Sequence, residues 1–212
     1  MVNAVILMAD VVDSTKLSSK EFMSQFDVLV EKINSAREEN IISPLTITLG
    51  DEFQGVIDNF ENGIKIIFEL EETIVRLNYD FKLRYVLLEG QIDTKINPDI
   101  AYRMLGSGLT DARRELEDLK KSQNRFLIKL DNTEKELYIN KAFSIYQNFV
   151  DSWKEKDRPL VKEFLDTGDY KLVAKKVGLD PSSVWRRKKS LNIAEYTAIK
   201  ELILVVYNHL QL

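Results

Sequence analysis

Cysteine is absent from this 212-residue chain, and histidine occurs once, at His209. Without cysteine the protein forms neither disulfides nor thiolate metal sites, which fits a reducing cytoplasm. A single histidine argues against His-based catalytic triads and His-ligated zinc. Any metal ion would therefore be held by oxygen ligands, and this favours Mg²⁺, Mn²⁺ or Ca²⁺.

Long apolar runs are also missing. No stretch approaches the roughly 20 residues that span a bilayer. The apolar start "MVNAVILMADVVDST" lacks a basic segment and a small-residue cleavage site, so it predicts a buried first strand and not a signal peptide. We therefore expect a cytoplasmic protein that does not contact membranes.

Charge is distributed unevenly along the chain. Residues 149–212 carry 12 Lys and Arg against 9 Asp and Glu, whereas the remainder carries 18 against 25. An acidic body with a basic tail indicates two parts with different partners.

The order of hydrophobic patterns predicts the fold class. Segments typical of strands and helices follow in the order β-α-β-β-α-β, with a helix and a strand added, and a hairpin is expected at Leu45–Leu49 and Phe53–Ile57. This order predicts an α+β, ferredoxin-like (split βαβ) palm domain over residues 1–153. Such a sheet buries one face under two helices and leaves the other for a ligand or partner. The charged segment "EKDRP" predicts a boundary before a small all-α domain over residues 159–212.

Two acidic residues stand at predicted strand ends. Asp10 closes the first strand, and Asp51 lies at the hairpin tip in "PLTITLGDEFQGVI". The split βαβ topology places these elements side by side, so the two carboxylates are expected to lie close together. They would repel unless protonated or bridged by a cation, and a divalent metal with nucleotide phosphates is the usual solution. In the alternative interpretation each aspartate only shapes a turn.

Three segments resemble class III nucleotide cyclases. "MADVVDST" is similar to the first metal motif of that group, "LGDEF" to the second, and "RMLGSGLTDARRELEDLK" to its Gly-containing loop and helix. Together with "GDEFQG" and the C-terminal segment, the whole pattern most resembles the SatD family. The resemblance covers nearly the full chain and implies a cyclase-type palm fused to a DNA-binding module.

The resemblance implies roles for individual residues. Asp10 and Asp51 match the two metal-binding aspartates, the Val11 carbonyl is a further ligand, and Mg²⁺ or Mn²⁺ is the expected ion. Arg114 matches the arginine that stabilises charge on the reacting phosphate, and Thr110 stands where cyclases place the Asn that positions the ribose. The expected nucleotide contacts are Ser14, Thr15 and Gly50.

The purine-reading positions depart from the cyclase pattern. Ile47 stands where adenylate-specific members have a base-reading Lys, and Arg103 stands where they have an Asp. The metal positions are thus retained while the purine-reading positions are not, which leaves turnover and binding without turnover both open.

The segment "YKLVAKKVGLDPSSVWRRKKSLNI" predicts a helix-turn-helix. Ala174, Gly178 and Val184 fit the helix crossing, the left-handed turn and the apolar anchor of the second helix. Asp180-Pro181 suits the start of that helix, and seven basic residues and one acid lie between positions 171 and 189. The expected DNA contacts are Ser183, Trp185, Arg186, Arg187 and Lys189. The alternative is a helical hairpin used for dimerisation.

The final segment "IAEYTAIKELILVVYNHLQL" carries more apolar surface than one short helix usually hides. It is expected either to pack between the subunits of a homodimer or to complete the core of the small domain.

These observations favour a cytoplasmic regulator in which a metal- and nucleotide-binding, cyclase-like domain is coupled to a DNA-binding helix-turn-helix. One alternative is an active metal-dependent nucleotidyl cyclase or related phosphoryl-transfer enzyme. The other is a non-catalytic dimerisation scaffold.

Overall fold

The computed structural model describes residues 1–14 and 19–209 of the chain. The strands in these residues are β1 (Val2–Val11), β2 (Ile41–Ile47), β3 (Glu52–Ile57), β4 (Leu83–Ile92) and β5 (Phe126–Lys129). The helices are α1 (Ser19–Ala36), α2 (Phe60–Arg76), α3 (Ser107–Leu119), α4 (Thr133–Ser152), α5 (Arg158–Thr167), α6 (Tyr170–Val177), α7 (Pro181–Ser190) and α8 (Ile193–His209). The predicted α+β class is confirmed. Within the described part, every helix is too short or too polar to cross a membrane.

The five strands form one sheet in the order β2-β3-β1-β4-β5. β1 pairs antiparallel with both β3 and β4, and β4 pairs parallel with the edge strand β5. The apolar run that predicted a buried first strand therefore lies at the centre of the sheet, where both of its faces are covered.

Alternation along β1 separates two layers of apolar packing. Val5 and Leu7 belong to the larger core, which also contains side chains of α1, α2, α4 and α8. Ile6 and Met8 point to the opposite face and pack with the apolar side of α3. The second face of the sheet is therefore not left free as the topology predicted, because α3 lies on it.

Glycines allow α3 to approach β4 closely. A Cβ atom on Gly108 would lie 2.6 Å from the carbonyl carbon of Gly90, and one on Gly90 would lie 2.4 Å from the Cα of Gly108. A Cβ atom on Gly106 would lie 2.2 Å from the Gln91 carbonyl oxygen. The "GSG" segment thus serves the packing of α3 on the sheet.

The last helix returns to the body of the protein. α8 packs on α4 and α2, and its residues Ile199 and Ile203 are buried in the same core as the helices beside the sheet. The Trp153 indole nitrogen donates a hydrogen bond to the Leu191 carbonyl over 2.9 Å. α8 therefore does more than complete a small module, although Leu202 and Val205 stay exposed. Leu210 and Leu212, which belong to the apolar segment expected to pack here, lie outside the described residues.

Candidate functional site

The strand register builds a row of three charged residues across the sheet. Asp10 on β1 lies directly opposite Glu52 on β3 and directly opposite Arg84 on β4. Directly opposed residues project to the same face of a sheet, and Asp10 shares its face with Met8, so the row lies on the face that α3 covers. Both acids are only 4% exposed.

Basic side chains from β4, from α3 and from the residue that caps the C-terminus of α3 pair with the acids. Arg84 Nη1 lies 3.2 Å and 3.3 Å from the two Asp10 oxygens, and Lys120 Nζ lies 3.3 Å from Asp10 Oδ2. Arg113 Nη2 pairs with Glu52 Oε1, to which the Thr48 hydroxyl also donates over 3.3 Å. We call these five charged residues the acid–base row: Asp10, Glu52, Arg84, Arg113 and Lys120.

Burial sets the direction of the carboxyl pKa shifts. Loss of solvation raises the pKa of Asp10, and Arg84 and Lys120 only partly oppose this. Loss of solvation likewise raises the pKa of Glu52 against the opposing effects of Arg113 and Thr48, and the neighbouring Asp10 charge raises it further. Burial would lower the pKa of Lys120, but its bonds to Glu117 and Asp10 raise it, so this ammonium group stays charged at neutral pH.

Asp51 has different surroundings. The Val11 amide donates to the Asp51 carbonyl oxygen over 2.9 Å, so the two predicted metal-binding segments do lie at the same end of the sheet. The Asp51 carboxylate, however, accepts a 2.6 Å hydrogen bond from the Ser14 hydroxyl, whereas the Asp10 carboxylate binds Arg84 and Lys120. Gly50 occupies the turn with a φ of 85°, a conformation that favours glycine. Thr15 lies outside the described residues.

The side chains at this end of the sheet are poorly arranged to hold a divalent ion. The part of the chain that the structure describes contains no group of three or more His, Cys, Asp or Glu side chains arranged to hold a metal. The two adjacent buried acids are Asp10 and Glu52, and both already bind protein cations. As arranged, this donor set does not fit Mg²⁺ or Mn²⁺, and the use of either ion stays a prediction.

The two residues predicted to act on a ribose or phosphate line different clefts. Thr110 lies with Arg113 in a cleft of about 460 Å³ beside the β2–β3 hairpin. Arg114 is exposed, binds Asp111 over 2.9 Å and lines a separate cleft with Leu88 and residues 129–132. The structure therefore places Arg113, and not Arg114, at the acids.

Sequence reasoning missed the basic members of the row. Arg84 is the one charge inside the apolar stretch "LRYVLL", and a lone inward charge in a strand calls for a buried partner. Arg113 and Lys120 stand seven residues apart, which places them on one side of a helix. These signals were present, but the identity of their partners depended on the strand register.

The α6–α7 corner carries the residues predicted to bind DNA. Gly178 ends α6 with a φ of 69°, and the Leu179 amide donates back to the Ala174 carbonyl over 3.1 Å. The Asp180 carboxylate caps the start of α7 by accepting hydrogen bonds from the amides of Ser182 and Ser183 at 2.9 Å and 3.2 Å. A hydrogen bond from the Ser182 hydroxyl, together with these two, lowers the pKa of Asp180. The corner is a three-residue turn between two short helices.

The predicted DNA contacts on α7 divide into two groups. Trp185 and Arg186 are exposed, and Lys189 Nζ lies 4.0 Å from the centre of the Trp185 ring. Ser183 accepts a 3.3 Å hydrogen bond from Arg186. Arg187 instead forms an ion pair with Asp157, which precedes α5, so its charge is partly neutralised within the protein.

Comparison with known proteins gives a matching family model and a distant similarity to solved structures. The model of the SatD family matches residues 4–203. A solved structure of a bacterial light-regulated adenylyl cyclase is similar over 60% of this chain and 75% of that chain, with 15% identity and a TM-score of 0.47. No match is found among the curated proteins.

Proposed function

The chain belongs to the SatD family, and we propose that it is a cytoplasmic regulator that binds DNA through the α6–α7 corner and a nucleotide through the sheet face that carries the acid–base row. We assign the sheet to a ferredoxin-like, cyclase-type palm and the corner to a helix-turn-helix. The strand order β2-β3-β1-β4 supports the first assignment.

The exposed basic and aromatic side chains of α7 are the observation that supports DNA binding. A three-residue turn containing glycine joins α6 to α7, and the crossing is fixed by the buried residues Ala174 and Val184. This leaves Arg186 and Lys189 in solvent on a ten-residue helix. Basic side chains on such a helix contact phosphates and base edges in the major groove.

A single short helix reaches few base pairs, so we propose that the protein binds DNA as a homodimer. Dimeric readers contact two half-sites about one helical turn apart. Doubling the contacts would raise the affinity of each module for a paired site.

DNA binding is tested by fluorescence anisotropy with duplex DNA over a range of salt concentrations. The double variant Arg186→Ala/Lys189→Ala removes two phosphate-directed charges, so we expect at least a tenfold loss of affinity and a salt dependence shallower by about two units of slope. The double variant Lys121→Ala/Lys141→Ala, which removes two exposed charges outside the α6–α7 corner, is the matched control. Equal affinities and slopes for both variants would contradict the assignment of α7.

The enzymatic alternative stays a prediction. The residues predicted for it are Asp10, Asp51 and Arg114. Asp10 binds Arg84 and Lys120, Asp51 accepts a hydrogen bond from Ser14, and Arg114 lines a cleft separate from that of Thr110. Incubation with each of the four nucleoside triphosphates and Mn²⁺, followed by product analysis, tests it. A cyclised product that Asp10→Asn abolishes would make the protein an enzyme.

A further inference from the structure

We propose that protein cations take the place of a divalent ion at the acid–base row, so that the adjacent cleft binds a nucleoside phosphate without metal. This inference rests on the proposed nucleotide-binding function and specifies how the ligand is held.

The first cation is fixed by the sheet itself. Arg84 is the direct cross-strand neighbour of Asp10. Their strands, β4 and β1, pair along ten consecutive residues of β1. Its side chain is 13% exposed and that of Asp10 is 5% exposed. Separating the Arg84 guanidinium from the Asp10 carboxylate would take an opposite charge away from each of two buried groups, which is unfavourable.

The other two cations come from α3 and from its C-cap residue, Lys120. Arg113 and Lys120 are seven residues apart, close to two helical turns, and the buried residues Ala112, Leu116 and Leu119 hold the same helix against the sheet. The close contact between Gly108 and Gly90 fixes the height of α3 above β4. Both basic residues are thereby held above the acids.

The charges around the row and its cleft leave room for an anion. Arg84, Arg113 and Lys120 face Asp10, Glu52 and Glu117, so these six groups sum to zero when ionised, and Arg103 in the cleft adds one positive charge. The carboxylates of the row already bind protein cations, so a divalent ion would have to displace those cations to reach them. A phosphate group, in contrast, would find partly exposed donors on Arg113, whose side chain is 44% exposed.

The cleft beside the row has the shape and lining of a small-molecule site. Its volume is about 460 Å³, and Met8, Met104 and Leu109 supply apolar surface. The side chains of Leu49 and Tyr102 border it and are 64% and 50% exposed, which leaves apolar and aromatic surface for a planar ring.

Polar groups converge on the same cleft. Arg103 and Arg113 line it together with Thr48 and Thr110. Arg103 has a φ of 58°, a strained conformation for a non-glycine residue that persists only where the surroundings impose it. The Gln54 amide holds the loop by donating to the Ala101 carbonyl. Two arginines near one aromatic ring suit a ligand that has a base at one end and phosphates at the other.

The experiment is isothermal titration calorimetry of the full chain with ATP, GTP, CTP and UTP, in EDTA and in Mg²⁺. We expect at least one nucleotide to bind in EDTA, with an affinity that Mg²⁺ changes by less than threefold. Arg113→Gln and Tyr102→Ala should each weaken binding at least tenfold, because they remove a phosphate donor and a stacking surface. Lys121→Gln, which changes an exposed cation two residues beyond α3, should leave binding unchanged. Far-ultraviolet circular dichroism and a thermal melt establish that each variant is folded.

The outcomes separate this inference from the proposed function. Binding in EDTA that is lost in the two variants supports both. Binding that requires Mg²⁺, or Mn²⁺ alone binding with one-to-one stoichiometry that Asp10→Asn abolishes, overturns the metal-free site but leaves nucleotide binding in place. No heat with any nucleotide in either buffer overturns both the metal-free site and the nucleotide-binding half of the proposed function.

Discussion

Among single residues, Arg125 is a buried cation that is held by several partners. Its guanidinium side chain is 6% exposed and binds both Glu71 oxygens, at 3.1 Å and 2.8 Å, and Asp151 at 2.9 Å. The Tyr85 hydroxyl donates to the same Glu71 carboxylate over 2.8 Å. Burial alone would lower the pKa of Arg125, but Glu71 and Asp151 raise it, so the residue stays charged. This network joins α2, α4 and β4 in the interior.

We predict that Arg125→Ala lowers the free energy of unfolding by about 3–5 kcal/mol, because it leaves the Glu71 carboxylate buried and unpaired. Urea unfolding followed by circular dichroism measures the change. The double variant Glu71→Leu/Arg125→Met removes both charges and should be more stable than Arg125→Ala. Lys121→Ala at an exposed position should not move the midpoint. A loss below about 1 kcal/mol for Arg125→Ala would show that the network contributes little.

A difference of one residue also decides which acid lies beside Asp10. The sequence drew attention to Asp10 and Asp51 because each ends a strand, whereas the fold pairs the side chain of Asp10 with Glu52. A shift of one residue along a strand moves a side chain to the opposite face. Neither a turn signal nor composition can resolve that difference.

At the scale of elements, α3 is the part of the fold on which the candidate site depends. It covers the second face of the sheet, supplies Arg113 and ends at Lys120, its C-cap residue. Its approach to β4 is set by Gly90 and Gly108, where an added Cβ atom would overlap backbone.

We predict that Gly108→Ala costs about 1–3 kcal/mol of stability, because α3 must move away from β4 to accommodate the methyl group. The same movement lifts Arg113 from the cleft, so nucleotide affinity should fall. Gly168→Ala is the control: its φ of 66° disfavours alanine while the space around it is open. It should destabilise the protein without changing nucleotide affinity, as measured by urea unfolding and calorimetry. Unchanged affinity in Gly108→Ala would argue that the position of α3 does not matter for binding.

Local patterns predicted most elements but not all of their limits. The second hairpin strand was expected at Phe53–Ile57 and spans Glu52–Ile57. The first was expected at Leu45–Leu49 but spans Ile41–Ile47, with irregular pairing to β3 between Ile41 and Thr46. Asn34 of α1 explains part of this difference, since its side chain bonds both the amide and the carbonyl of Leu45 at 2.8 Å. Such a contact between distant residues leaves no periodic signal.

At the scale of the whole molecule, α8 ties the C-terminal helices to the sheet domain. Tyr196 donates to Glu72 of α2 over 2.9 Å, and Lys200 pairs with the same carboxylate. Arg76 binds Glu72 at 2.9 Å and Asp166 of α5 at 3.1 Å. The division into two domains stays a prediction, and Glu72 is one of the positions where the two predicted parts are joined by charge.

The Glu72 contacts predict a pH dependence of stability. Burial would raise the pKa of Glu72, but Lys200, Tyr196 and Arg76 together lower it. A carboxyl pKa that is lowered in the folded state stabilises the protein above the unfolded value of about 4.3, and this stabilisation is lost as the pH falls through the folded-state pKa. Urea midpoints measured from pH 7 to pH 3 should therefore fall less steeply for Glu72→Gln than for the wild type. Identical pH profiles would show that Glu72 does not link the two parts.

The sequence by itself determined the local features: a buried central strand, the amphipathic helices, the capped α6–α7 turn and the uneven charge. These depend on periodicity and on turn chemistry between neighbouring residues, which are written along the chain. Only the tertiary structure decided that Glu52 and Arg84 flank Asp10, that Arg113 rather than Arg114 lies above the acids, and that α8 returns to α2 and α4. The physical reason is that strand register and helix docking are fixed by contacts between residues far apart in the chain, whose packing and charge pairing have no local signature.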